Sequence, residues 1–366
     1  MKNALIRFCA ATAAVIFFAG SANALEGSRH FFAAGEVERD VLSIHAATDI
    51  DAMKPLILDF QKMAPEIAVE YVEYVTNDLY NDADKACGNG SALGSIYLSS
   101  SVDQLVKLAN DGCAVPHRSP RTGSVAPWAN WRDEVFGFTF EPSVFVYNSN
   151  LVPAGDVPRT HVELADLLRR KLDFYRGRIG TYDLRQSGIG YLLAFYDAKQ
   201  TTTVYGRLLE SMSRADAAVR CCNSEVLQQV ASGNFYIGYN ILGSYAYAEH
   251  KRNPQLKIVL PRDYTLILSR GAMIPKNATR GDLGARFLDY LLSPRGQAVA
   301  REKAFFFSEK GPLPPDVDGP LTLVQSGIAR PIRIGPELLA AQDHAQRERF
   351  IADWSNLIIG GGRAMR

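Results

Sequence analysis

The sequence predicts an α/β fold in two lobes, each a mixed sheet flanked by helices, with two crossing hinge strands between them. Three observations carry this. The chain has 366 residues, more than one hydrophobic core comfortably serves, so two domains are expected. Strand and helix patterns alternate along most of it, as they do where helices cover parallel-rich sheets. Two apolar strands, over 136–147 and 264–269, are placed to carry the chain out of one lobe and back.

In chain order, Lys2 and Arg7 precede an apolar run from Phe8 to Ala19, and Ala22-Asn23-Ala24 follows with small-x-small spacing. This is the layout of a cleaved export signal over residues 1–24, and the run is too short to span a bilayer. Cys9 precedes the run and is badly placed for lipid attachment. A strand is expected over 41–46. A helix then places Met53, Leu56, Ile57, Phe60 and Met63 on one face, Pro65 closes it, and 68–75 alternates as a strand. This makes one right-handed βαβ unit. A polar helix over 77–86, a strand over 95–98 and a helix from Val102 to Leu108 repeat the pattern.

After the 136–147 strand, interrupted by Pro142, strands are expected over 178–182, 236–239 and 257–260. Helices are expected over 188–198, 204–212, 225–231 and 244–250. After the 264–269 strand come helices over 282–292 and 296–303 and one near 336–357. The two crossings imply a discontinuous first lobe, residues 25–140 plus 266–366, around a second lobe of 141–265. A cleft between lobes is a common ligand site.

The formal charge is +1, and without Lys2 and Arg7 it is −1; there is no clustered basic face of the kind nucleic acid requires. Four cysteines follow the leader. In an oxidising compartment Cys87 and Cys113 can pair, whereas the neighbours Cys221 and Cys222 rarely meet disulfide geometry. Neither spacing is that of a zinc site, so the cysteines are read as structural or free thiols. No nucleophile elbow, zinc-protease motif or phosphate-binding P-loop occurs.

Ligands of open α/β sheets gather beyond the strands' carboxyl ends, where helix N-termini also point. Four strand-to-helix turns there carry hydroxyl or glycine residues: Thr48-Asp49, Ser99-Ser100-Ser101, Ser187-Gly188, and Asn240 with Ser244 and Tyr245. Each reads equally as helix capping or as a ligand contact. Arg185 fits a fork onto a carboxylate or phosphate, or plain solvation. Glu141, in the first crossing, either selects a hydroxyl or amine of the ligand or pairs with a neighbouring base. Trp128 and Trp131 read either as stacking on a ring of the ligand or as first-lobe core, and core is favoured.

The segments HAATDIDAMKPLILDFQKMAPEIAVEYVEY, SIYLSSSVDQLVKLANDGCA, FGFTFEPSVFVYN, YRGRIGTYDLRQSGIGYLLA, IGYNILGSYA and VLPRDYTLILSRGAMIPKNA together resemble type II periplasmic solute-binding proteins of ABC transporters. The likeness runs from Val41 to Phe307, and within the class it is similar to the ferric-ion and organophosphate branch. The resemblance implies the periplasmic-binding-protein type II fold and hinge closure around a solute. It also implies a periplasmic monomer without a cofactor, not an enzyme, which delivers its ligand to an ABC permease. Some relatives instead present it to the ectodomain of a two-component sensor kinase. The alternative of another class is a transferase or hydrolase on the same two-lobed fold. Ferric-ion members place two consecutive tyrosines where this chain has Gly243-Ser244-Tyr245. Iron(III) prefers hard oxygen donors, so the reading favours a small anion, an organic phosphate or carboxylate, over iron.

Overall fold

The computed structural model describes residues 27–304, 306–309, 311–323 and 325–360; the leader expected over 1–24 lies outside the described residues. Among the described residues, fifteen strands form two sheets. They are β1 (Ser28–Phe32), β2 (Asp40–Ala47), β3 (Ile67–Glu73), β4 (Ile96–Ser99), β5 (Asn130–Trp131), β6 (Val135–Gly137), β7 (Glu141–Asn148), β8 (Ile179–Tyr182), β9 (Ala218–Arg220), β10 (Ile237–Leu242), β11 (Leu256–Val259), β12 (Thr265–Leu268), β13 (Gly271–Met273), β14 (Val317–Asp318) and β15 (Ala329–Pro331). The first sheet has the order β1-β3-β2-β4-β13-β6-β5. The second runs β14-β11-β7-β10-β8-β9, with β12 pairing β7 and β15. Both are mixed: β2 runs parallel to β3 and β4 while β13 is antiparallel to β4, and β8 runs parallel to β10 while β7 is antiparallel to it.

The first βαβ unit is β2, the helix Ile50–Met63 and β3. The helix buries Met53, Leu56, Ile57 and Phe60, and the strands bury Leu42, Ile44, Val69 and Tyr71 against them. Each buried aliphatic side chain contributes about 1.5–3 kcal/mol relative to an exposed one, enough to hold Pro55 inside the helix.

The apolar stretch expected as one strand over 136–147 is two strands in two sheets, and Phe138–Phe140 is the passage between them. The return passage is Ser269–Arg270, between β12 and β13. The two lie side by side: Ile267 pairs with Pro142, Leu268 with Glu141, and Gly271 with Gly137. Between these pairs Arg270 N–H donates to Thr139 Oγ1 at 2.8 Å and Phe138 N–H to the Arg270 carbonyl at 3.0 Å. A Cβ on Gly137 would lie 2.3 Å from Ser269 Oγ, so the tight crossing needs glycine there.

Two expectations need correction. The sequence reading puts 266–366 in the first lobe, but β14 pairs with β11 and β15 with β12 in the second sheet. Apolar burial explains the return, since Ile332, Ile334, Leu338 and Trp354 share a core with Leu164, Leu168 and Met212. The helix expected near 336–357 is two helices, Glu337–Ala341 and His344–Ser355, divided where Asp343 caps the second by accepting from Gln346 N–H. The sequence reading also has no helix over His161–Arg170, although Thr160 accepts from Glu163 N–H there, the start of a capping box.

Candidate functional site

Five strands, β2, β3, β4, β8 and β9, end at one cavity of about 100 Å³ between the sheets. It is lined by Asp49, Glu73, Ser100, Ser187, Cys221, Cys222, Asn223, Tyr245 and Arg270 among others. Apart from Arg270 and Tyr245, these residues follow strand carboxyl ends, where helix N-termini converge. The walls already touch. Tyr245 O–H donates to Asp49 Oδ1 at 3.0 Å, Gly188 N–H donates to Thr76 Oγ1 at 2.9 Å, and Asn77 Nδ2 donates to the Gln186 carbonyl at 2.9 Å.

The centre of the site is Arg270, whose side chain is only 1% exposed. Its Nε donates to Glu141, its Nη1 donates to Thr48 Oγ1 at 2.9 Å, and its guanidinium lies 5.0 Å from the Tyr245 ring centroid. Among the described residues its Nη2 has no hydrogen-bond partner. Burial opposes the charge, but Glu141 and Tyr245 outweigh it and push the pKa above the ordinary arginine value. Glu141 is fully buried and also accepts from Ser244 Oγ. Of its two readings, pairing with a neighbouring base is the arrangement present.

The other expected residues divide. Thr48 is held by Arg270, and its carbonyl accepts from Tyr71 O–H at 2.5 Å. Asp49 lines the cavity but makes no side-chain cap; Glu73 takes the helix N-terminus instead, accepting from Ile50 N–H at 2.7 Å. Burial pushes both carboxyls up, and for Asp49 the Tyr245 hydrogen bond and Arg270 offset only part of this. Burial also pushes the Tyr245 phenol far up, so it is a hydrogen-bonded phenol and not a phenolate. Ser99 accepts from Ser101 N–H at 3.1 Å, and Ser101 donates to Asp103 at 2.8 Å. That leaves Ser100 as the hydroxyl of the three on the cavity wall. Ser187 lines the cavity while accepting from Gly190 N–H at 3.1 Å, as an N-cap does.

Two residues stand elsewhere. Asn240, at φ 62°, turns inward, accepting from Ser143 Oγ and donating to Asp197 Oδ2, each at 2.6 Å; its polar atoms are spent on the core of the second sheet. Arg185 forks onto Asp183, with Nε at 2.9 Å and Nη2 at 2.6 Å, and its half-exposed side chain lines a neighbouring groove. Its fork is filled by a carboxylate two residues away. The sequence reading missed Arg270, Glu73, Asn223 and both cysteines of the cavity wall. Cys221 and Cys222 are joined as a disulfide, against expectation, and Cys87 pairs with Cys113.

A family model described as bacterial extracellular solute-binding protein matches residues 42–306. The chain belongs to this family. The solute-binding protein is 33% identical to the substrate-binding protein of an ABC transporter from Agrobacterium tumefaciens, whose crystal structure superimposes with a TM-score of 0.83 over 91% of this chain and 98% of that one. Iron-bound HitA from Pseudomonas aeruginosa shares the fold at 17% identity and a TM-score of 0.67, covering 86% of this chain and 99% of that one. AfuA from Actinobacillus pleuropneumoniae, with fructose-6-phosphate bound, is 16% identical with a TM-score of 0.67, covering 88% and 99%. These relatives are binding proteins, and the return crossing of this solute-binding protein reaches its cavity through Arg270.

Proposed function

We propose that this solute-binding protein captures a small organic anion, a phosphate or carboxylate, in the cavity between its sheets, outside the cytoplasmic membrane. It then hands the molecule unchanged to an ABC permease. The observation that carries the reading is Arg270: a residue of the cavity wall with a buried guanidinium, fixed at Nε and Nη1, whose buried Nη2 has no partner among the described residues. A buried donor left unmade costs about 1–3 kcal/mol, and an anionic oxygen satisfies it with the stronger, charge-assisted kind of bond. Ser100 and the helix N-termini add neutral donors and partial positive charge. Asp49 and Glu73 suit a hydroxyl or amine on the same solute, and their raised pKa values soften repulsion of its anionic group.

Iron(III) is the poorer match, because the chain reads Gly243-Ser244-Tyr245 without two consecutive tyrosines and the Tyr245 phenol is bound to Asp49. Thermal unfolding of the mature protein with a panel of organic phosphates and carboxylates tests the reading. At least one should raise the melting temperature, as ligands of the native state do. A panel without effect, together with a large shift from iron(III), contradicts it.

A further inference from the structure

The Cys221–Cys222 disulfide joins sequence neighbours, with a Cα–Cα distance of 3.8 Å, and both cysteines line the central cavity. Disulfides that close long loops stabilise a fold by restricting the unfolded chain. Cys87–Cys113, at a sequence separation of 26, is of that kind. A bond between neighbours closes almost no loop, so restriction of the unfolded chain does not account for it. Its effect is local: it makes a stiff ring with a polarisable apolar face.

That face is held in place. Asn223, the next residue, accepts from Tyr182 O–H at 2.6 Å and from Leu242 N–H at 2.9 Å, tying the turn to the ends of β8 and β10. The cavity is also asymmetric. Asp49, Glu73, Ser224 and Tyr245 continue into the groove on one flank, Val75 and Cys221 into the groove on the other. Of the cavity's own lining, the carboxylates Asp49 and Glu73 thus stand on the first flank, while the groove beyond Cys221 carries Asp78, Arg185, Glu225 and Arg347 of its own. Cys221 and Val75 stand on the other flank, Cys222 lines the central cavity, and Ile189 adds apolar surface there.

Resting on the anion reading of this cavity, we propose that the Cys221–Cys222 disulfide is the wall against which the solute's carbon skeleton packs. The captured molecule is then an organic phosphate or carboxylate and not an inorganic oxyanion. Binding pockets generally combine an apolar lining with a few placed polar groups. A disulfide contributes dispersion contacts without demanding a hydrogen bond. Two thiols are larger, separately mobile and polar, so the reduced pair offers a poorer surface.

The test is calorimetric titration with glycerol 3-phosphate, glucose 6-phosphate, citrate and inorganic phosphate, on the native protein and on the C221S/C222S variant. At least one organic probe should bind the native protein ten or more times tighter than inorganic phosphate. The variant should lose about tenfold on that probe and stay within twofold on inorganic phosphate, which also reports that its cavity has folded. A second measurement uses the unmutated chain. A dithiol reductant passes two electrons and two protons to the disulfide and closes to its own disulfide, and alkylation with mass analysis then identifies which pair opened. Opening Cys221–Cys222 alone should reproduce the variant's loss. Equal loss on organic and inorganic probes, or no loss, overturns the proposal while the anion reading stands. Failure of every organic probe to bind the native protein overturns both.

Discussion

Glu141 and Arg270 illustrate how a buried ion pair acquires a task. Both side chains are almost wholly buried, and removing one partner of such a pair leaves an uncompensated charge in the interior at a cost of about 3–5 kcal/mol. The expected outcome for Glu141→Gln is a loss in that range, measured by denaturant unfolding. Asp49 carries a pH signature. Its pKa in the fold is raised by burial, so its contribution to stability is fully present below the ordinary value of 3.8 and is lost as pH rises through the raised one. Asp49→Asn removes that loss while keeping an acceptor for Tyr245. Melting temperatures across pH 4–8 should therefore fall less steeply for the variant than for the native chain. The turns carrying Thr48, Asp49, Ser100 and Ser187 were legible in the sequence because strand ends and cap residues have local signatures. Arg270 was not, because its meaning depends on a strand beginning 129 residues earlier that brings Glu141 beside it. Arg185 looked the better candidate until Asp183 proved to occupy its fork.

At the scale of elements, the helix Gly188–Gln200 is positioned by its N-cap and its first residue. Ser187 caps it, and Ser187→Ala should cost about 1 kcal/mol in unfolding free energy. Gly188 meets the other lobe: a Cβ there would lie 2.7 Å from Ser101 Oγ and 2.8 Å from Asn77 Oδ1. Gly188→Ala should hold the walls apart, weakening solute affinity about tenfold and enlarging the liganded radius of gyration in small-angle scattering, while the melting temperature of the free protein changes little. The alternation of strand and helix was legible because apolar period and cap chemistry are local. The two- and three-residue strands β5, β9 and β14 were not, since pairing with neighbouring strands makes them. The Cys221–Cys222 bond was missed for a related reason: the general rarity of neighbouring pairs argues against it, and only the turn's anchorage by Asn223 shows how it is held.

At the scale of the molecule, the two passages Phe138–Phe140 and Ser269–Arg270 lie side by side, and Arg270 belongs to both the return passage and the cavity. On the proposed placement a solute at Arg270 contacts one of the two passages between the lobes, which would couple its binding to any closure of the lobes. The direct check is calorimetric titration of the tightest organic phosphate or carboxylate against the native protein and the Arg270→Lys variant, which keeps the charge facing Glu141 and loses the forked donor. Affinity should fall at least about tenfold in the variant with its unfolding still cooperative; equal affinity in the two proteins contradicts the placement of the solute's anionic group on Arg270.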